Sequence, residues 1–196
     1  MESQPKIVRQ AGDPEEAGNL PAGPIELELV HLFDKIRAVK AFVFDVDGVL
    51  TNNDLLVTEA GELLRTMNIR DGQAIKWAIQ AGYQVGIITG GKSEGVKIRL
   101  TNLGIEEYYS GAHAKWEPFQ AFLKRTNTLV SEVCYMGDDM PDLPVLRKVV
   151  LSCCPADAVP EVREICDYSS TLPGGRGCVR DIIEKVMKLQ DKWPEY

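Results

Sequence analysis

The chain has 196 residues and a formal charge of −7, which suits one domain with a full hydrophobic core and not comfortably two. So acidic a chain is a poor candidate for binding a nucleic-acid backbone non-specifically, and no apolar stretch is long enough to cross a bilayer. Because the N-terminus also lacks a signal-peptide pattern, we expect a cytoplasmic protein without a nucleic-acid or membrane partner.

The predicted elements begin after an irregular N-terminal segment. Residues 1–24 are rich in Pro, Gly and Glu and lack periodicity, so they are predicted to form a flexible tail before a single domain at 25–196. Helical spacing from Ile25 to Ile36 predicts a first helix. The unbroken apolar run 41–44 follows, and such a run is typical of a strand that is covered on both faces.

The same pattern recurs along the chain. Further strands are predicted at 85–88, 108–109, 133–136 and 149–153, and helices at 71–81, 96–103, 116–123 and 179–189, with Asp71 expected to cap the first of these helices. This alternation predicts an α/β fold, a Rossmann-like doubly wound parallel sheet with helices on both faces. Residues 51–69 break the alternation and are predicted to form a β-hairpin flap over the end of the first strand.

Acidic and hydroxyl side chains follow three of the predicted strands. In an open α/β sheet, ligands bind outside the carboxyl ends of the strands. Asp45 and Asp47 follow the first strand two residues apart, so side-chain alternation places both carboxylates on the same side of the chain. Two close carboxylates repel each other and need a compensating positive charge. A hard divalent cation such as Mg²⁺ supplies that charge, and Asp138 completes a predicted metal site of Asp45, Asp47 and Asp138.

A second pattern predicts different chemistry. Residues 86–93 match the P-loop pattern GxxxxGK[ST], which would make the protein a nucleotide hydrolase or kinase. Ile87 and Ile88 instead continue the apolar strand, and β-branched residues suit a phosphate cradle poorly. Thr89 and the backbone near Gly90 remain candidates for holding one phosphoryl group.

Four motifs together resemble the haloacid dehalogenase superfamily of phosphatases, in that family's order over about residues 37–190. They are the run Asp45–Thr51, the pair Thr89-Gly90, Lys115 and the acidic segment Gly137–Asp142. The resemblance implies that Asp45 is the nucleophile, that Asp47 is the general acid and base, and that the backbone carbonyl of Asp47 helps to hold Mg²⁺. It also implies that Lys115 and Thr89 bind the phosphoryl oxygens, while Asp139 and Asp142 orient Lys115 or metal-bound water.

The segments 68–72 and 174–180 further resemble the capless sugar-acid branch of this superfamily, most nearly the phosphatases of 3-deoxy-D-manno-octulosonate 8-phosphate. That branch implies no cap domain and a homotetramer whose active sites are completed by a neighbouring subunit. The implied substrate-binding residues are Asp47, Asn68, Ile69, Arg70, Asp71, Gly72, Lys76, Gly90, Arg99, Lys115, Asp139 and Arg176.

Some positions depart from the branch. Gly91 and Lys76 stand where many relatives carry arginine, and Leu63 stands where an acid is common, so Lys92 is a candidate for replacing the charge missing at Gly91. These differences leave a nine-carbon sugar-acid 9-phosphate as an alternative substrate. A P-loop enzyme and a non-catalytic binding module remain alternatives of other classes. Carbon–halogen cleavage is less favoured, because it does not need Asp47.

Overall fold

The computed structural model describes the backbone of residues 24–195 and the side chains of residues 31–195. Apart from Pro24, the predicted tail lies outside these described residues. The strands are β1 Ala41–Phe44, β2 Leu56–Val57, β3 Leu63–Leu64, β4 Gln84–Thr89, β5 Glu107–Ser110, β6 Val133–Met136, β7 Leu151–Cys154 and β8 Tyr168–Ser169. The α-helices are α1 Pro24–Ala38, α2 Ile69–Gln80, α3 Glu94–Thr101, α4 Trp116–Thr126, α5 Leu143–Leu146, α6 Pro160–Arg163 and α7 Cys178–Leu189, and 3₁₀ turns lie at Val130–Glu132 and Met140–Asp142.

Six strands form one parallel sheet in the order β5-β4-β1-β6-β7-β8. Without the hairpin, this is the doubly wound Rossmann order, so the predicted fold is confirmed. The chain changes direction across the sheet between β1 and β6, where Phe44 pairs with Met136. A crevice at such a switch point is the expected ligand site of a doubly wound sheet.

Alternating side chains of β1 cover both faces of the sheet. Phe42 and Phe44 enter a core with α2, α3 and α7, whereas Ala41 and Val43 enter a second core with α4, α5 and α6. All four residues are buried, which explains why the strand reads as an unbroken apolar run. The helices therefore lie on both faces, as predicted.

The hairpin is also confirmed, because β2 and β3 pair antiparallel on either side of the turn at Glu59–Glu62. Its apolar residues, which are Leu56, Val57, Leu63 and Leu64, are all exposed in the single chain. Within residues 24–195, only this hairpin and α2 separate β1 from β4, so no cap domain is inserted there. None of the helices in the described part of the chain is both long and apolar enough to cross a membrane.

Some predicted details were wrong. The N-cap of α2 is Asn68, whose side chain accepts hydrogen bonds from the backbone N–H groups of Arg70 and Asp71. The cap prediction for Asp71 failed because both residue types can cap a helix, and the cap that forms lies three residues earlier. The short elements α5, α6 and β8 were not predicted, since two to four residues are too few for a periodic pattern.

Candidate active site

Three buried carboxylates lie close together at the switch point, just beyond the ends of β1 and β6. Asp45 follows β1 and Asp138 follows the adjacent β6, while Asp142 lies in the 3₁₀ turn just beyond. One carboxylate oxygen of each residue lies within 4.8 Å of the others. The three line a cavity of about 220 Å³ with Asp47, Asn53, Thr89, Gly90, Gly91, Ala112, His113, Lys115, Asp139 and Pro141.

Lys115 connects two of these carboxylates. Its Nζ lies 2.7 Å from Oδ2 of Asp45 and 2.7 Å from Oδ1 of Asp142, and its side chain is almost fully buried. Burial opposes the charge of the ammonium group, but the two carboxylates outweigh that effect and raise the pKa of Lys115. The lysine is therefore held as a cation at the base of the cavity.

Asp142 uses both of its carboxylate oxygens within the protein. Oδ1 accepts from Lys115 and from the Tyr135 hydroxyl at 2.6 Å, and Oδ2 accepts from the backbone N–H groups of Asp138 and Asp139. A Cβ atom at Gly137 would lie 2.2 Å from Cγ of Asp142, so only glycine fits there. Asp142 is therefore hydrogen-bonded both to Lys115 and to the backbone of the acidic turn.

The remaining carboxylates fit a divalent cation. Burial raises the pKa of Asp45 to about 7, although Lys115 lowers it, and burial raises the pKa of Asp138 to about 6. One lysine does not balance three buried acids, and a hard cation held by oxygen ligands would do so. Asp45 and Asp138 are the two buried carboxylates of this group that remain for such a cation, and their roles as ligands, like that of the Asp47 carbonyl, stay predictions.

Gly48 allows this approach between the two strand ends. A Cβ atom there would lie 2.0 Å from Oδ2 of Asp138, and its φ of +87° lies in the left-handed region that favours glycine. The same oxygen of Asp138 accepts from Nδ2 of Asn53 at 2.9 Å. The Asp-Gly step after β1 is thus required by the site and does more than turn the chain.

Asp47 is held by a residue of the flap. Nε and Nη2 of Arg65 donate to Oδ1 and Oδ2 of Asp47 at 2.6 and 3.2 Å, while Nη1 donates to the Leu63 carbonyl at 3.3 Å. The hydrogen bond to Asp47 also raises the pKa of Arg65. Arg65 was not predicted, because one arginine after a two-residue strand has no local sequence signal that distinguishes it from surface charge.

The P-loop alternative is excluded by the course of β4. Gly86 lies inside the strand, where a Cβ atom would come within 2.7 Å of the Phe122 ring, and Ile87 and Ile88 are buried in the sheet. The glycine is needed for packing and not for a phosphate cradle. Thr89 ends the strand at the cavity, and its hydroxyl accepts from the backbone N–H of Gly91.

Lys92 and Arg65 differ in their position relative to Gly91. A Cβ atom at Gly111 would lie 2.5 Å from Cε of Lys92, which places the lysine side chain against that turn. A Cβ atom at Gly91 would instead lie 3.2 Å from Nη2 of Arg65 and 2.9 Å from Oδ2 of Asp47. The cation that adjoins Gly91 is therefore Arg65.

Asp71 is the predicted substrate-binding residue whose contacts differ most from the expectation. It is buried, and its carboxylate accepts from the backbone N–H groups of Gly177 and Arg180. Burial raises its pKa, while these two N–H groups lower it. In the single chain Asp71 does not line the cavity; it joins α2 to the turn before α7.

Of the other predicted substrate-binding residues, Asp47, Gly90, Lys115 and Asp139 line the cavity, and the rest lie outside it in the single chain. Gly72 packs against the guanidinium of Arg99, and Ile69 is 79% exposed. Arg99 lines a separate cleft of about 480 Å³ beside the flap, whereas Arg70 and Arg176 share a third cleft next to α7. Asn68 caps α2, and Lys76 is half-buried on the same helix. Asp139 does line the cavity, although its Oδ1 accepts from the backbone of Met140.

Three contacts of the site were missed by sequence reasoning. They are made by Arg65 to Asp47, by Asn53 to Asp138 and by Tyr135 to Asp142. Tyr135 lies in the apolar run of a buried strand, so the sequence pattern gives no sign that its hydroxyl donates to Asp142. Asn53 has a φ of +65°, which asparagine tolerates better than most residues, but that conformation is visible only in the structure.

Known proteins are similar to this chain in sequence and in fold over most of its length. The 3-deoxy-D-manno-octulosonate 8-phosphate phosphatase KdsC of Salmonella typhi is 36% identical over 173 residues, which is 88% of this chain and 90% of that protein. This chain belongs to the KdsC family of phosphatases. That family lies within the haloacid dehalogenase (HAD) superfamily, as the resemblance implied.

Solved structures agree with the KdsC assignment. A HAD superfamily (subfamily III A) hydrolase from Legionella pneumophila has a TM-score of 0.83 at 36% identity, covering 86% of this chain and 92% of its own. The Moraxella catarrhalis phosphatase, solved with magnesium, phosphate and KDO, has a TM-score of 0.79 at 29% identity, covering 82% of this chain and 92% of its own. No family model matches the chain.

Proposed function

We propose that this chain is a Mg²⁺-dependent phosphatase of sugar-acid phosphates that acts through an aspartyl-phosphate on Asp45. Its preferred substrate in this proposal is 3-deoxy-D-manno-octulosonate 8-phosphate, a precursor of the inner sugar of lipopolysaccharide, and it acts in the cytoplasm. The observation that carries the proposal is the buried group of Asp45, Lys115 and Asp138 at one switch point, with Asp47 two residues further on.

In the first half of the proposed reaction, an oxygen of Asp45 attacks phosphorus as the bond from phosphorus to the sugar oxygen breaks. Asp47 donates its proton to the leaving oxygen, which would otherwise depart as an alkoxide. Lys115 and Thr89 bind the phosphoryl oxygens on which the transition-state charge spreads. Bound Mg²⁺ supplies positive charge that lets an anionic nucleophile approach an anionic substrate.

In the second half, water attacks the phosphorus of the aspartyl-phosphate. Asp47 accepts the proton of that water, and phosphate leaves with both carboxyl groups restored. Asp142 keeps Lys115 in place through both halves of the reaction. The Asp142 carboxylate is itself fixed, because it also accepts hydrogen bonds from Tyr135 and from the backbone of the acidic turn. The same side chains thus serve both halves of the cycle.

The sugar-acid preference draws support from the named relatives and from three arginines that line other clefts of the chain. The Moraxella catarrhalis structure holds a KDO molecule, and arginine suits the carboxylate of such a sugar. Arg70, Arg99 and Arg176 lie outside the cavity of one chain, so in this proposal a neighbouring subunit of a homotetramer completes each site. The exposed apolar hairpin is the kind of surface that such an assembly covers.

A substrate panel tests the proposal. With saturating Mg²⁺, we expect kcat/KM to be highest for 3-deoxy-D-manno-octulosonate 8-phosphate, lower for a nine-carbon sugar-acid 9-phosphate and lowest for common metabolite phosphates. Asp45→Asn should reduce kcat by about 10³-fold or more, because the nucleophile is lost. Asp54→Asn is the matched control, since Asp54 is exposed outside the cavity. Near-normal turnover by Asp45→Asn would exclude Asp45 as the nucleophile.

A further inference from the structure

The contact between the flap and Asp47 has the geometry of a positioning device. Arg65 approaches the carboxylate with two parallel N–H groups, a bidentate arrangement that fixes orientation as well as distance. The arginine side chain is 7% exposed, whereas that of Asp47 is 35% exposed. The buried partner therefore holds the more exposed one in place.

The guanidinium is itself fixed by the hairpin. Nη1 of Arg65 donates to the carbonyl of Leu63, the first residue of β3, so the fork has a set direction relative to the strand. Arg65 follows β3 immediately, and the hairpin spans only β2, β3 and their turn. The position of the Asp47 carboxylate is thus linked to the folding of the flap.

Gly91 leaves the space that this contact needs. A Cβ atom there would lie 2.9 Å from Oδ2 of Asp47 and 3.2 Å from Nη2 of Arg65, so even alanine would press on both partners. The φ of Gly91 is not in the left-handed region, and the backbone itself would accept alanine. The need for glycine at this position comes from the Arg65–Asp47 contact.

We propose that Arg65 is a positioning residue for the reaction, which orients the Asp47 carboxyl toward the leaving oxygen and toward the attacking water. The inference rests on the proposed function, because it needs Asp47 to transfer those protons. Arg65 touches neither the phosphoryl group nor the leaving group in this role. Its whole effect on the rate passes through Asp47.

A leaving-group comparison separates this role from substrate binding. The probes are 3-deoxy-D-manno-octulosonate 8-phosphate, the uncharged-alcohol ester glycerol 3-phosphate and p-nitrophenyl phosphate, whose leaving group needs no proton. Since general acid catalysis contributes about 10²–10⁴-fold, we expect Arg65→Met to lower kcat/KM about 30-fold or more on both alkyl phosphates. On p-nitrophenyl phosphate the loss should stay within about 3-fold, since kcat/KM reports the first half-reaction. A loss confined to the sugar acid would overturn the inference, because Arg65 would then bind the sugar carboxylate.

A double-mutant cycle supplies the second readout. In an Asp47→Asn background, Arg65→Met should change kcat/KM on alkyl phosphates by less than about 3-fold, because a residue that acts through Asp47 has nothing left to position. Arg65→Lys keeps the charge but loses the fork, and it should recover only part of the activity. Fully additive losses, or full recovery with lysine, would contradict the proposal.

A third variant keeps the arginine and disturbs only its geometry. Gly91→Ala should reproduce part of the leaving-group-dependent loss, whereas the control Gly95→Ala, where the new methyl group meets no atom within 4 Å, should not. Equal effects of the two alanines would contradict the inference. Failure of the proposed function is distinguishable from failure of this inference. In that case the unmodified enzyme itself would release no phosphate from any of the probes.

Discussion

The cavity has two ends that are built differently. The buried end consists of Asp45, Lys115, Asp138 and Asp142, which are at most 7% exposed and follow the ends of neighbouring strands or adjoin them. The flap end consists of Asp47 and Arg65, which are held together by the hairpin. The same hairpin carries the exposed apolar residues of β2 and β3.

This difference corresponds to the two tasks of the proposed reaction. The phosphoryl group is the same in every substrate of such an enzyme, and a preorganised buried site stabilises its charge without reorganisation. The leaving alcohol differs between substrates. The flap end, which protonates that alcohol, is therefore best carried by a separate element, the hairpin, that can change without disturbing the buried end. If this comparison is right, changes at the buried end should reduce the rate for all substrates alike.

Replacing Lys115 should have the largest effect on the rate. Lys115→Met removes the cation between Asp45 and Asp142, so kcat should fall about 10²–10³-fold, a typical loss for one charge-stabilising donor. The loss should be the same for alkyl and aryl phosphates, which steady-state kinetics with saturating Mg²⁺ would measure. Lys124→Met, on the exposed side of α4, is the control. A loss limited to alkyl phosphates would mean that the two ends do not divide the tasks in this way.

Gly48 and Gly61 test the buried end through stability. Both have positive φ values, +87° and +79°, but a Cβ atom meets Asp138 at Gly48 and open space at Gly61. Gly61→Ala should therefore cost only the conformational strain, about 1 kcal/mol. Gly48→Ala should cost about 2 kcal/mol more, because Asp138 must move. Urea unfolding would measure both, and equal costs would show that Asp138 tolerates the extra atom.

The same contrast explains what the sequence could predict. Asp45, Thr89 and Asp138 follow apolar strands, and the carboxyl ends of parallel strands meet at one edge, so local pattern and topology were sufficient. Arg65 reaches Asp47 across 18 positions through a hairpin with two-residue strands, and no periodicity encodes that contact. Asp71 was assigned to the substrate by the resemblance of segment 68–72, and no sequence pattern predicted that its carboxylate accepts hydrogen bonds from the backbone N–H groups of Gly177 and Arg180.

The stability of the metal-free protein should depend on pH through the buried end. Burial raises the pKa of Asp45 to about 7 and that of Asp138 to about 6, above the ordinary value of 3.8. Between pH 3.8 and about pH 7, the folded protein therefore binds more protons than the unfolded chain, and its free energy of unfolding falls as the pH rises through that range. We expect the metal-free Tm to fall by a few degrees from about pH 5 to pH 8 and the increase in Tm on adding Mg²⁺ to grow over the same range.

Differential scanning fluorimetry with EDTA or Mg²⁺ would measure this dependence. Asp138→Asn removes one of the two groups, so the fall in metal-free Tm should be shallower and the effect of Mg²⁺ smaller. A metal-free Tm that rises steadily across this range would contradict the assignment of both raised pKa values.

Tyr135→Phe should give the smallest effect, because it removes one of four hydrogen bonds to Asp142 and leaves Lys115 in place. We expect a loss of about 1 kcal/mol in unfolding free energy and a decrease in kcat of less than about 10-fold. Tyr109→Phe is the matched control, since its hydroxyl donates to Glu107 on a half-buried edge strand. If Tyr135→Phe reduced the rate as strongly as Lys115→Met, the orientation of Asp142 would depend on the tyrosine more than on the backbone of the acidic turn.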